Sequence, residues 1–255
     1  MKQYKGFLID LDGTMYRGSE KIDEAVQFVK DLERRKIPYL FVTNNSTKRP
    51  EQVAALLQSM DVPATESHIF TTSMATATYI SERKKNARVY AIGEEGLRYA
   101  LTEEGHELVD EGADFVVSGL DRDITYEKLA KGALNIRAGA TFIATNADVA
   151  LPTERGLMPG NGSLVSVLSV TTGVNPTFIG KPESIIVEQA LEVIGTAKEE
   201  TIMVGDYYHT DILAGLRAGM DTLMVYTGVS TREQVATYEE KPTHELNSLA
   251  EWTFE

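Results

Sequence analysis

Short runs of β-branched and aromatic residues alternate along this chain with segments whose apolar residues recur every three to four positions. Phe7–Ile9, Tyr39–Val42, Val89–Ile92, Phe115–Val117, Phe142–Ala144, Ile202–Val204 and Thr222–Tyr226 are apolar with no polar alternation. That is the pattern of parallel strands covered on both faces. Between them, Ile22, Val26, Val29 and Leu32 form one amphipathic stripe, and Val53, Leu56, Leu57 and Met60 repeat it after Pro50. Ile185, Ile186, Ala190, Leu191 and Ile194 form a third, which follows Pro182 and stops at Gly195. A fourth helix is expected from about Asp211 to Ala218, with Gly219 as its stop signal. Strand–helix alternation of this kind predicts βαβ units, an α/β class and a doubly wound parallel sheet. The charged stretch Glu82–Asn86 reads either as a hinge or as a solvated helix end.

Composition narrows the class. The 255 residues suffice for two small domains or one large one, and 42% are hydrophobic, which is ordinary for a packed protein. No stretch approaches the roughly 20 apolar residues of a membrane span, so no membrane partner is expected. The charged motif at Asp10 arrives too early for a signal peptide, and a cytoplasmic location is the simplest expectation. Without cysteine there is no disulfide, thiolate metal site or cysteine nucleophile. A net charge of −13 argues against nucleic acid as partner. It does not exclude an anionic phosphate, because one bound divalent cation and one placed lysine can invert the local potential.

The strongest chemical signal is Phe7-Leu8-Ile9-Asp10-Leu11-Asp12-Gly13-Thr14. An apolar strand ends in carboxylates two residues apart, and Gly13 lets the backbone turn sharply. Ligands of open α/β sheets bind beyond the carboxyl ends of the strands, where this pair lies. Two carboxylates so close repel, so one must bind a cation or hold a proton; the alternative is a hydrophilic turn in which Asp12 caps a helix. Leu40–Ser46 is a second strand ending in hydroxyl and amide groups, Thr43 and Asn44 among them, suited to phosphoryl oxygens or to helix capping. Lys181 lies between a strand and a helix start. Asp206 follows the strand Ile202–Val204 as a hard oxygen ligand, and Asp211 either braces it or caps the next helix.

Taken in order, Asp10-Leu11-Asp12-Gly13-Thr14, Thr43-Asn44, Lys181 and Gly205-Asp206…Asp211 resemble the four motifs of the haloacid-dehalogenase superfamily. Aspartate at position 12 resembles its phosphatases, which must protonate a leaving alkoxide. The long interval from Thr43 to Lys181 resembles the large-cap, NagD-type branch, with Ala144–Asp148 and Met158–Gly162 in similar places. The resemblance implies a Rossmann-like core from residues 1–79 and 176–255 and an inserted α/β cap from 80–175. It also implies Mg²⁺ held by Asp10, the Asp12 backbone carbonyl and Asp206, with Asp211 supporting. Asp10 would be the nucleophile and Asp12 the acid and base, while Thr43, Asn44 and Lys181 hold phosphate. Asn146, Asp148 and the Gly160-Asn161-Gly162 turn are candidates for contact with a small phosphorylated metabolite, of the sugar phosphate or nucleoside monophosphate class. Caps of this kind often mediate homodimers.

One departure stands out: NagD-like proteins often have asparagine where this chain has Tyr207, which puts the orientation of metal-bound water in doubt. Two other readings stay open at this level. One is a receiver-like phospho-aspartate signalling module, which would lack the Asp12 acid and the insert. The other is a weakly active phosphometabolite-binding protein.

Overall fold

The computed structural model describes residues 2–153 and 155–254. In chain order it begins with β1 (Gly6–Ile9), the hairpin strands β2 (Tyr16–Arg17) and β3 (Glu20–Lys21), α1 (Asp23–Arg35), β4 (Tyr39–Thr43), α2 (Pro50–Ser59), β5 (Ile69–Thr71) and α3 (Thr72–Ser81). Next come β6 (Arg88–Ile92), α4 (Glu95–Glu103), β7 (Glu107–Leu108), β8 (Phe115–Ser118), α5 (Tyr126–Arg137) and β9 (Thr141–Ala144). They are followed by the hairpin β10 (Ala150–Thr153) and β11 (Gly156–Pro159), then α6 (Asn161–Thr172) and β12 (Thr177–Phe178). The chain closes with α7 (Ser184–Ile194), β13 (Thr201–Gly205), α8 (Leu213–Arg217), β14 (Asp221–Val225), α9 (Arg232–Val235) and β15 (His244–Leu246). Among the described residues, no helix is long and apolar enough to cross a membrane.

Two compact units result: Met1–Thr43, Glu51–Phe70 and Lys181–Glu255 form the first, and Asn44–Pro50 with Thr71–Gly180 the second. The second unit thus takes in α3, which packs on α4, as well as the 80–175 span expected from sequence. Glu82–Asn86 lies inside it, just beyond the end of α3.

The first unit is built on a six-stranded sheet of order β15-β14-β13-β1-β4-β5. Counted along the chain, this is the doubly wound order in which strand succession reverses between β1 and β13. Those two strands pair in parallel, with Ile9 opposite Val204, and each is buried at every position. Whatever follows Ile9 therefore stands beside whatever follows Gly205. The helices follow from their stripes. In α1, Ala25, Val26, Phe28, Val29 and Leu32 are buried, while Asp23 and Glu24 in the first turn and Arg34 and Arg35 in the last complement the helix dipole. Phe7 meets Phe28 and Trp252 edge-on, at 5.4 and 5.8 Å between ring centroids, so the C-terminal aromatics serve packing.

The second unit has its own parallel sheet, β12-β9-β8-β6-β7, a flavodoxin-like order that reverses between β6 and β8. A cleft of about 620 Å³ is lined by residues that follow those two strands, Glu95, Asp121 and Lys128 among them, and by Arg49 from the segment ahead of α2. Two pairs of its charges meet there: Arg49 with Glu95 at 2.6 Å and Lys128 with Asp121 at 2.7 Å.

Candidate active site

The reversal between β1 and β13 determines the site. Beyond Ile9, the Leu11 carbonyl accepts from the backbone N–H groups of Thr14, Met15 and Tyr16, coiling the chain into one tight turn. Gly13, at φ 88°, occupies the left-handed region that only glycine enters without strain. The turn leaves Asp10 buried, at 8% exposure, and Asp12 exposed. Beyond Gly205, a π-helical turn over Tyr208–Ile212 precedes α8, where the sequence reads as plain helix from Asp211. Such turns recur at functional sites. This one carries Asp211 back toward β13, where its Oδ2 accepts the Tyr207 N–H at 3.0 Å.

The carboxylates of Asp10, Asp206 and Asp211 consequently lie within 4.8 Å of one another, the last two at 1% exposure. Lys181, at 2% exposure, enters from the segment ahead of α7. Its ammonium donates to the Asp10 carboxylate, to Asp211 Oδ1 at 2.8 Å and to the Val42 carbonyl at 2.9 Å. Thr43, buried at the end of β4, is the residue after that carbonyl. Burial, and then the Asp211 charge, push the Asp10 acid well above the usual carboxylate range, against the pull of Lys181. The same two causes push Asp206 up to about 7. For Lys181 burial favours the neutral amine, but the carboxylates of Asp10 and Asp211 outweigh it and hold the group protonated.

Three carboxylates and one ammonium, all ionised, sum to −2. In a buried site that excess must be met by protons or by a cation. The donors are all oxygens, the set that hard divalent ions such as Mg²⁺ take, so the residues fit the cation that the motifs imply. Asp12 is not one of the three clustered side chains, in keeping with a contribution through its backbone.

Sequence reading missed the loop Thr227–Ser230, after β14. Val229 N–H donates to Asp206 Oδ2 at 2.7 Å, Ser230 N–H to the Asp206 carbonyl at 3.2 Å, and the Thr227 hydroxyl to the Gly13 carbonyl at 2.7 Å. Thr14 adds a hydroxyl to Asp206 Oδ1 at 3.2 Å. A Cβ on Gly13 or on Gly228 would strike the Asp206 carboxylate, so both positions are restricted to glycine. His209 is exposed and meets the Tyr238 hydroxyl at 2.9 Å, and it is no part of the cluster.

Asn44 and Asn146 fall in the second unit. The Asn146 amide donates to the Asn44 carbonyl at 2.8 Å, its Oδ1 accepts the Asp148 N–H at 3.2 Å, and the Asn44 amide reaches Asp148 Oδ2 at 3.4 Å. Asn161, at 1% exposure, ties the Asn146 and Ser118 carbonyls together at 2.9 and 3.0 Å. The flanking Gly160 and Gly162 press against the backbone of residues 147–149, to which their N–H groups donate. That turn serves close packing rather than an open phosphate cradle.

Replacing Lys181 by Met is expected to destabilise the metal-free protein by about 3–5 kcal/mol, since buried carboxylates lose their counter-charge. A thermal melt at pH 7.5 should record a drop of roughly 10 °C for a chain of this size. A change within a few degrees would show that the ammonium is not what balances the cluster.

Residues 7–107 match the family described as haloacid dehalogenase-like hydrolase, and residues 178–252 match its HAD-hydrolase-like companion. A 5'-nucleotidase YutF from Bacillus subtilis is 64% identical over 252 residues, covering 99% of this chain and 98% of that one. An acid sugar phosphatase from Staphylococcus aureus is 55% identical, covering 98% and 97%. The solved structure of a mutant thermostable p-nitrophenylphosphatase from Bacillus stearothermophilus is 60% identical and covers 100% of both chains, at a TM-score of 0.92. Matches of this extent, together with the parallel core sheet and its acidic cluster, place the chain in the haloacid dehalogenase-like hydrolase family, as a NagD-type member with a cap.

Proposed function

We propose that this protein is a Mg²⁺-dependent phosphatase that hydrolyses small phosphate monoesters, of the sugar phosphate or nucleoside monophosphate class, through a phospho-aspartate on Asp10. The observation that carries this reading is the buried cluster of Asp10, Asp206 and Asp211 at the reversal of the core sheet, with Lys181 bound among them. The names of the relatives, a nucleotidase, a sugar phosphatase and a nitrophenylphosphatase, support the same substrate class.

In the first step an Asp10 carboxylate oxygen attacks phosphorus while the bond to the leaving oxygen breaks, and Asp12 gives that oxygen its proton. In the second, Asp12 takes a proton from water, whose oxygen attacks the same phosphorus and releases Asp10. Thr43 and Lys181 donate to the equatorial oxygens, where charge accumulates. Bound at Asp10, Asp206 and the Asp12 carbonyl, Mg²⁺ would neutralise the excess negative charge and draw the phosphate in. Asp211 holds Lys181 and the turn after Asp206 in place. Asn44 and Asn146, in the second unit, are assigned to substrate recognition on the strength of the motif alone.

The test is a panel of phosphorylated metabolites with p-nitrophenyl phosphate as reference, read as released inorganic phosphate with Mg²⁺ or with EDTA. Release should be confined to the Mg²⁺ arm and strongest for one chemical class. No release from any ester, or release indifferent to EDTA, would remove the proposal.

A further inference from the structure

The sheet brings Asp10 beside Asp206, but it does not by itself place the turn that follows Asp10. The parallel pairing of β1 with β13 ends at Ile9 and Val204, and the Asp10 N–H reaches the Val204 carbonyl at 2.9 Å. Beyond that point the D-x-D turn meets the loop Thr227–Ser230, which comes from the next strand, β14. Thr227 is buried and bonds in two directions. Its hydroxyl donates to the Gly13 carbonyl at 2.7 Å, and its own carbonyl accepts from Arg17 Nε in β2. Gly228 follows, so close that an added Cβ would lie 2.9 Å from the Gly13 Cα and would strike Asp206. The Asp206 carboxylate is then held from both sides: Val229 N–H donates to Oδ2 at 2.7 Å, and the Thr14 hydroxyl to Oδ1 at 3.2 Å. One oxygen is thus oriented by the loop and the other by the turn. The direction of the carboxylate depends on how turn and loop are registered, and the Thr227 hydroxyl is a direct bond between them.

We propose that Thr227 is a positioning residue for the cation site: its hydroxyl clasps the D-x-D turn to the loop after β14, so that the turn and Asp206 meet one divalent ion in fixed register. This role rests on the reading of Asp10, Asp206 and the Asp12 carbonyl as a Mg²⁺ site. Mg²⁺ demands near-ideal octahedral geometry and tolerates displaced ligands poorly. Groups that orient a ligand without touching the metal typically change its affinity by about 10–100-fold when removed. Thr227 acts on both halves of the site at once, whereas Val229 and Thr14 each hold a single oxygen of Asp206. The Arg17 bond secures the far side of the clasp, on the Thr227 backbone.

Thr227→Val keeps the shape of the side chain and deletes the donor, whereas Thr227→Ser keeps the donor. Metal-free protein is titrated with Mg²⁺, and the midpoint is read twice, as the rise in melting temperature and as phosphate release from p-nitrophenyl phosphate. Thr227→Val should move both midpoints to about tenfold higher Mg²⁺, the lower end of the range for such partners. In EDTA it should melt within about 4 °C of the parent, the scale of one lost hydrogen bond in a chain of this size. Thr227→Ser should restore both midpoints to within about threefold of the parent, on the same scale. A Thr227→Val midpoint within threefold of the parent, or an equal shift in the valine and serine variants, overturns the role of the hydroxyl. Arg17→Met, on an exposed residue, covers the case in which Thr227→Val does not fold. It should raise the midpoint at least about threefold, and an unchanged midpoint overturns the clasp. If the parent itself gains neither stability nor activity from Mg²⁺, the proposed function fails first and this inference fails with it.

Discussion

Asp10→Asn is expected to reduce phosphate release by at least about 10⁴-fold, the scale on which loss of a nucleophile is felt, while the metal-free protein melts no lower than its parent. The two halves have one cause. The amide keeps the shape of the side chain but lacks an anionic oxygen to attack phosphorus. It also removes one negative charge from a cluster in which burial and repulsion from Asp211 already penalise the ionised form. Net charge there falls from −2 to −1, and Lys181 keeps its 2.8 Å bond to Asp211. A variant that is inactive and at least as stable as its parent is the signature of a residue retained for chemistry. Initial rates by phosphate release, paired with a thermal melt in EDTA, check both halves. Residual activity within tenfold of the parent would end the nucleophile assignment.

Chelation should abolish turnover, and the stability gained on restoring Mg²⁺ should grow as pH rises from 5 to 8. Burial first, and the Asp211 charge second, lift Asp206 from 3.8 to about 7. An acid whose folded value exceeds its unfolded value binds more protons when folded. Its contribution to stability is therefore complete in acid and lost as pH climbs through about 7. Asp10 is shifted in the same direction. The difference amounts to on the order of 4 kcal/mol at most for Asp206. A cation reverses it, because the ionised cluster becomes the favoured ligand set. Below about 7 each displaced proton should weaken apparent Mg²⁺ affinity about tenfold per pH unit. Melting curves with and without Mg²⁺ at pH 5 and pH 8 isolate this site, because surface ion pairs such as Lys21–Asp61 are common to both arms. A thermal gain equal at the two pH values would show that the cation binds elsewhere.

Much of this centre could be read from residues alone, for a physical reason. β1 and β13 are buried on both faces, so their sequences are continuous apolar runs, and a carboxylate that ends such a run is conspicuous. Asp10 and Asp206 are legible in that way, as are helices whose stripe and stop agree, such as α7 with Gly195 in the left-handed conformation. Thr227–Ser230 is not, because it works through backbone N–H groups, and a peptide group has no letter of its own. The π-helical turn at Tyr208 escapes for a related reason: one additional residue in a turn leaves the apolar spacing of Ile212 and Leu213 nearly unchanged. α3 packs on α4, although the sequence around Thr71 shows no composition break to mark where one unit gives way to the other.

Gly13 and Gly228 flank Asp206 so closely that not even a methyl group fits on either. That wall has no alphabet to vary: a lineage changing its diet of esters could not have edited it without displacing the Asp206 carboxylate. Selectivity must then be inscribed in side chains that never meet Asp206, and directed evolution for a new ester would do well to leave positions 13 and 228 out of its libraries.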